Sequence, residues 1–128
     1  MSKVISKNFH GVIDYSYALI VPLLPEIIGF KKQQPASALC RSLGAGAFAY
    51  TVFTKARWGL FPVLTFKKHL LIDFSVSCFA LAAPWLLGFA HKKSATAAVL
   101  ATGVLGLAAS LLTEPLEQPD KKQRYLFI

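Results

Sequence analysis

His69-Leu70-Leu71-Ile72-Asp73-Phe74-Ser75, running on to Pro84-Trp85-Leu86-Leu87-Gly88-Phe89, is the stretch that decides the reading of this chain. It has a counterpart upstream, where His10-Gly11-Val12-Ile13-Asp14-Tyr15-Ser16 runs on to Pro25-Glu26-Ile27-Ile28-Gly29-Phe30. The offset is 59 residues without a gap, and seven of the 21 aligned positions are identical. The chain therefore reads as two copies of one unit. Each copy opens on an apolar segment with His-x-x-x-Asp near its start.

Composition supplies the surroundings for that repeat. Of 128 residues 55% are hydrophobic, and mean hydropathy is +0.51, high for a water-soluble domain of this length. The apolar residues fall into four blocks of roughly 18–20, the length that crosses a bilayer core as helix. These observations predict an all-α fold, an integral membrane four-helix bundle made of two tandem parallel helical-hairpin repeats. The expected helices cover about 10–30, 36–53, 69–89 and 94–112. Repeat one spans 10–54, a connecting interfacial segment 55–68, repeat two 69–113 and a polar tail 114–128. Pro22 and Pro25 predict a kink in the first helix, matched by one at Pro84-Trp85. The connection 55–68 mixes Lys55, Arg57, Lys67 and Lys68 with Trp58, Phe61 and Phe66, a composition suited to headgroup depth.

Charge gives orientation. The net charge of +8 comes from Lys and Arg in the connections between apolar blocks, without a nucleic-acid motif beside them, so no nucleic-acid partner is expected. Lys3, Lys7, Lys55, Arg57, Lys67, Lys68, Lys121, Lys122 and Arg124 lie on one side, against Lys31, Lys32, Arg41, Lys92 and Lys93 on the other. That bias predicts both termini in the cytoplasm of, in the simplest case, a bacterial inner membrane. The first block carries Asp14 and Glu26 and recurs later, which marks it as retained structure and not a cleaved signal. Leu39 before Cys40 fits a lipoprotein cleavage site poorly. Cys40 and Cys78 both lie inside apolar blocks and read as small buried hydrophobes without a bridge.

Pro84-Trp85-Leu86-Leu87-Gly88-Phe89, preceded by His69 and Asp73, resembles the bacterial SPW-repeat membrane proteins, named for a Ser-Pro-Trp triplet followed by Gly-Phe. The resemblance covers about 10–113, including His10-Gly11-Val12-Ile13-Asp14-Tyr15. Ala83 stands where that family has Ser, and Leu24-Pro25-Glu26 replaces the first triplet. The resemblance implies a membrane helical fold and carries no established activity.

The chemistry-bearing residues are few. His10/Asp14 and His69/Asp73 share an i, i+4 spacing, so each pair occupies one helix face. An ionisable group at the centre of a membrane helix costs about 2.5–3.5 kcal/mol, and less near its ends. Because the repeats enter the membrane in the same direction, both pairs sit at one depth, related by a pseudo-twofold axis along the membrane normal. A structural role is the first reading, each Asp accepting from the other repeat or from Lys68 or Arg57. A shared site of two imidazoles and two carboxylates is the second. It would suit a divalent metal, a proton relay or a haem ligated by both histidines, though no cofactor is favoured. Glu26 and Arg41 reach similar depth across a tight hairpin and are expected to form an ion pair. Thr102, Gly106 and Ser110 make a small-residue series for close packing within the bundle or between subunits. Thr54-Lys55 matches Thr113-Glu114, which suggests a charge pair between Lys55 and Glu114. Nucleophile constellations and glycine-rich nucleotide loops are absent from the sequence, so enzyme chemistry has few players. A structural or accessory membrane protein, forming a homo-oligomer or joining a membrane partner, is the expected function. The alternatives are a small transport, proton-relay or redox module and a lipid-binding role for 55–68.

Overall fold

Two cap residues that share the 59-residue offset set where the histidine-bearing helices begin. Ser6 caps the helix that starts at Lys7 by accepting from Phe9 N, and Thr65 caps the one that starts at Phe66 by accepting from Lys68 N. The computed structural model describes residues 4–115, and these form α1 (Lys7–Ile20), α2 (Gln34–Val52), α3 (Phe66–Leu86) and α4 (Lys93–Leu112). The caps lie outside the 21-residue match, and α1 and α3 start three residues before His10 and His69, the starts expected from the sequence. His10 and His69 thus sit a full turn inside their helices. The expected basic positions Lys3, Lys121, Lys122 and Arg124, and the tail beyond Pro115, lie outside the described residues.

Proline chemistry treats the two hairpins differently. α1 gives way to a 3-10 turn at Val21–Leu23 and a π-turn at Pro25–Gly29, because Pro22 and Pro25 lack the N–H that α-helical bonding requires. Pro84 stays inside α3, which runs on to Leu86. The expected matching kinks are therefore one broken segment and one continuous helix. Both hairpins then close alike. Phe30 N donates to Pro25 O and Phe89 N to Pro84 O, each at 2.9 Å. The glycine inside each loop takes a positive φ, 99° at Gly29 and 78° at Gly88. This is a helix-ending turn that a residue with a Cβ enters only with strain.

α2 packs on α1, and α4 packs on α3. Glycines allow the close approach: a Cβ at Gly44 would overlap the Pro22 ring, and one at Gly103 would press on Leu81. Gly106 meets the Ser77 hydroxyl. The small-residue series of α4 is thus used within the bundle. The half of the bundle near the hairpin turns has an apolar core, in which Val21, Phe30 and Cys40 meet Ala80, Phe89 and Val99. At the other end, short parallel bridges tie the chain into a ring. Ile5 pairs with Thr113, and Leu64 with Thr54. Ile5 N donates to Leu112 O at 3.0 Å, and Leu64 N to Phe53 O at 2.8 Å. Residues 53–65 fold back over this end, with Leu60 N and Phe61 N donating to Val52 O at 2.8 and 2.9 Å.

The outside of the bundle is apolar. Leu19, Ile27, Leu71, Phe79, Trp85 and Val104 are all exposed. Cys40 is buried as expected, but Cys78 is exposed on this surface; both are free thiols. Glu26 and Arg41 do pair, through both guanidinium nitrogens, and Arg41 also donates to Pro22 O. This pair is about 40% exposed, so it lies on the rim and not in the core. α3 and α4 are long and apolar enough to cross a membrane.

Gly44→Ala is expected to lower stability by about 1–3 kcal/mol through overpacking against Pro22. Gly46→Ala, two residues away with open space at its Cα, is expected to be neutral or stabilising by up to about 1 kcal/mol. Thermal unfolding of the two variants side by side checks this, and equal losses would contradict the packing account.

Candidate functional site

At the end closed by the bridges the two His-x-x-x-Asp pairs of α1 and α3 meet. His10 and His69 are fully buried, and Asp14 and Asp73 nearly so. The imidazole centroids are 5.4 Å apart. Each histidine reaches the carboxylate of the other helix first. His10 Nε2 lies 2.8 Å from Asp73 Oδ2, and His69 Nε2 lies 2.6 Å from Asp14 Oδ2. The contacts within each helix are longer, 3.2 Å for His10–Asp14 and 3.3 Å for His69–Asp73. Imidazole and carboxylate therefore alternate round a four-membered ring. Of the two expected sources of partners for each Asp, the other repeat supplies its histidine.

The far side of each ring is fixed by a threonine at the end of a helix hairpin. His10 Nδ1 lies 2.8 Å from Thr113 Oγ1, and His69 Nδ1 lies 2.7 Å from Thr54 Oγ1. Both hydroxyls donate to the carbonyl four residues back, Thr113 to Ala109 O at 2.5 Å and Thr54 to Tyr50 O at 2.6 Å. A carbonyl only accepts, so each hydroxyl proton is committed and each threonine oxygen must receive Nδ1–H. Donor counting thus assigns both histidines an Nδ1–H and turns both Nε2 atoms toward the centre. Each short Nε2–Oδ2 contact then holds one more proton, so the two carboxylates are balanced by two protons inside the ring.

One feature breaks the pairing. Tyr50 donates its hydroxyl to Asp73 Oδ1, while Ala109 occupies the matching place near Asp14. Beside the carboxylates lies a cavity of about 20 Å³, bordered by Asp14, Tyr17, Tyr50, Asp73 and Ser77. That volume accommodates roughly one water molecule. It does not admit a macrocycle, so the bis-histidine haem arrangement finds no room here.

Aromatic rings close the site on the other side. Phe66 stacks on His69 with centroids 5.8 Å apart and meets His10 edge-on at 5.6 Å. Trp58 meets His69 at 5.4 Å. The indole Nε1 donates to Lys7 O at 2.9 Å, and Tyr15 donates its hydroxyl to Trp58 O at 2.6 Å. Gly11 makes this possible, since a Cβ there would overlap the indole. Part of the segment expected at headgroup depth is therefore a lid over the quartet, and Phe66 is wholly buried beneath it. The third histidine, His91, is exposed in the opposite turn.

Sequence reasoning found the four ring members and missed their supports. Thr54 and Thr113 were visible as an offset-matched pair ending the second and fourth apolar blocks. Trp58 and Tyr50 left no such mark, because neither has a counterpart in the other half. No family model matches the chain, and no curated protein or solved structure is significantly similar to it.

Thr113→Val keeps side-chain shape but leaves a buried Nδ1–H without an acceptor, a loss expected to cost about 1–3 kcal/mol. Thr113→Ser should retain most of the stability, as should Thr54→Ser relative to Thr54→Val. Equal melting temperatures for Val and Ser variants would contradict the assigned hydrogen bonds.

Proposed function

We propose that this chain is a small integral membrane protein, a divergent relative of the SPW-repeat proteins, whose two tandem hairpins close round an internal cation-binding centre at His10, Asp14, His69 and Asp73. The observation that carries this reading is the convergence of four ionisable side chains, 55 and 63 residues apart across the cross-helix contacts, into one buried ring with its nitrogens aimed inward.

The bilayer part of the proposal draws on the inverted distribution of polarity. Only 39% of the most apolar window of α3 and 33% of that of α4 is buried within the bundle. A core helix of a water-soluble domain would bury most of such a window. Here the large apolar side chains face outward, and the carboxylates and imidazoles face inward. Lipid is the solvent that makes that arrangement favourable, since it neither repels the exterior nor hydrates the ring. With Lys7, Lys55, Arg57, Lys67 and Lys68 at the quartet end, that end faces the cytoplasm, in the simplest case of a bacterial inner membrane.

A second reading keeps the quartet as a structural staple in an accessory or oligomer-forming membrane protein. What favours it is that every ring atom facing the centre already has a hydrogen-bond partner. The two readings part on ligand response. If the quartet is a cation centre, the detergent-purified protein should melt at a higher temperature with at least one of Na⁺, K⁺, Mg²⁺, Ca²⁺, Mn²⁺ or Zn²⁺. That gain should vanish in Asp14→Asn/Asp73→Asn. A melting temperature indifferent to all six ions would leave the staple reading. Release of the protein from membranes by alkaline carbonate would remove the bilayer part of the proposal.

A further inference from the structure

The donor set of the quartet is narrow enough to name its ion, and we infer that it takes a single divalent first-row transition metal of the zinc class, held in four-coordination by His10 Nε2, His69 Nε2, Asp14 Oδ2 and Asp73 Oδ2. This rests on the reading of the quartet as a cation centre and specifies what enters it.

Geometry comes first. One ligand atom from each of the four residues already lies within 4.8 Å of the other three. A tetrahedral ion with bonds of about 2.0–2.2 Å sets its donors about 3.3–3.5 Å apart. The contacts within α1 and within α3 are 3.2 and 3.3 Å, close to that spacing. The contacts between helices, 2.8 and 2.6 Å, are shorter because each encloses a proton. Replacing that proton by a shared ion lengthens these contacts by less than about 1 Å, while donor pairs as far as 4.8 Å apart draw together round the ion.

Chemistry gives the same answer. Both imidazoles donate Nδ1–H outward to a threonine whose own proton is committed. Their Nε2 lone pairs are therefore the inward-facing groups once the ring protons leave. An oriented imidazole with its other nitrogen anchored by a hydrogen bond is how histidine ligands are held at metal centres. Asp73 is anchored likewise through Oδ1 by Tyr50, which leaves Oδ2 as its single inward donor. Charge also balances: one M²⁺ enters as two protons leave, so the buried ring stays neutral against its two carboxylates.

The same features exclude the commoner divalent ions. Ca²⁺ takes six to eight oxygen donors, and Mg²⁺ prefers an octahedral shell that keeps several waters. The ring supplies two inward oxygens, and the adjoining cavity of about 20 Å³ has room for about one water. Two imidazoles with two carboxylates suit zinc and its first-row neighbours instead.

Cobalt(II) makes the coordination visible. The detergent-purified protein, stripped with chelator and titrated with Co²⁺, is expected to develop the intense visible bands of tetrahedral cobalt, saturating at one ion per chain. Equimolar Zn²⁺ should bleach them, and a hundredfold excess of Mg²⁺ or Ca²⁺ should not. The bands should be lost in Asp14→Asn/Asp73→Asn and unchanged in Cys78→Ser, which removes the exposed thiol as a competing ligand. If the double variant does not fold, the wild-type and Cys78→Ser spectra still decide the matter. Pale six-coordinate cobalt, displacement by Mg²⁺ or Ca²⁺, or bands that disappear with Cys78 would overturn the zinc-class assignment. If some other ion still raises the melting temperature, the cation centre survives that result. If no ion does, both readings fall together.

Discussion

The crossed contacts His10–Asp73 and His69–Asp14 are the constraint on which the near end of this bundle depends. They join α1 to α3, two helices from different halves of the chain. Leaving one partner of a buried charged pair alone costs about 3–5 kcal/mol, far more than a rim pair such as Glu26–Arg41 contributes. Every element near the ring serves to keep those contacts dry and aligned. Thr54 and Thr113 orient the imidazoles, and Phe66 and Trp58 exclude water. The bridges Ile5–Thr113 and Leu64–Thr54 bring the threonines to the right height.

The two ends of the bundle solve different problems. Near the hairpin turns, small residues and phenylalanines fill an apolar core, with Gly44 and Gly103 bringing helix partners close. Near the bridges, polar groups fill the same axial space and must be satisfied by one another. A ring in which every member is paired, and both imidazoles and Asp73 are also oriented from outside, meets that demand. It also creates a preorganised set of donors, because the groups that orient the side chains are not those that face the centre.

Much of this was legible in the sequence, because the 59-residue offset acts at several levels. It located the four ring residues, the Gly-Phe turns and the helix bounds to within three residues, except the end of the first helix, which gives way at Ile20. It could not show that the pairs would cross instead of closing within each helix, since spacing alone permits both. The caps at Ser6 and Thr65 and the acceptors Thr54 and Thr113 also obey the offset, but the offset does not say which group each hydroxyl meets. The lid is invisible for a stronger reason. Trp58 meets Gly11, and the counterpart of Gly11 is Leu70, so no internal comparison marks that contact. Burial was misjudged where apolar surroundings were taken to mean interior. Cys78 belongs to the outer surface of a bundle whose outside is as apolar as its core.

The central claim is that the ring holds two protons which one ion replaces. Calorimetric titration with Zn²⁺ at neutral pH, repeated in two buffers of different ionisation enthalpy, counts them directly. Exchange in the ring predicts release of about two protons for each ion bound. Binding without proton release, or no saturable heat at all, would contradict it.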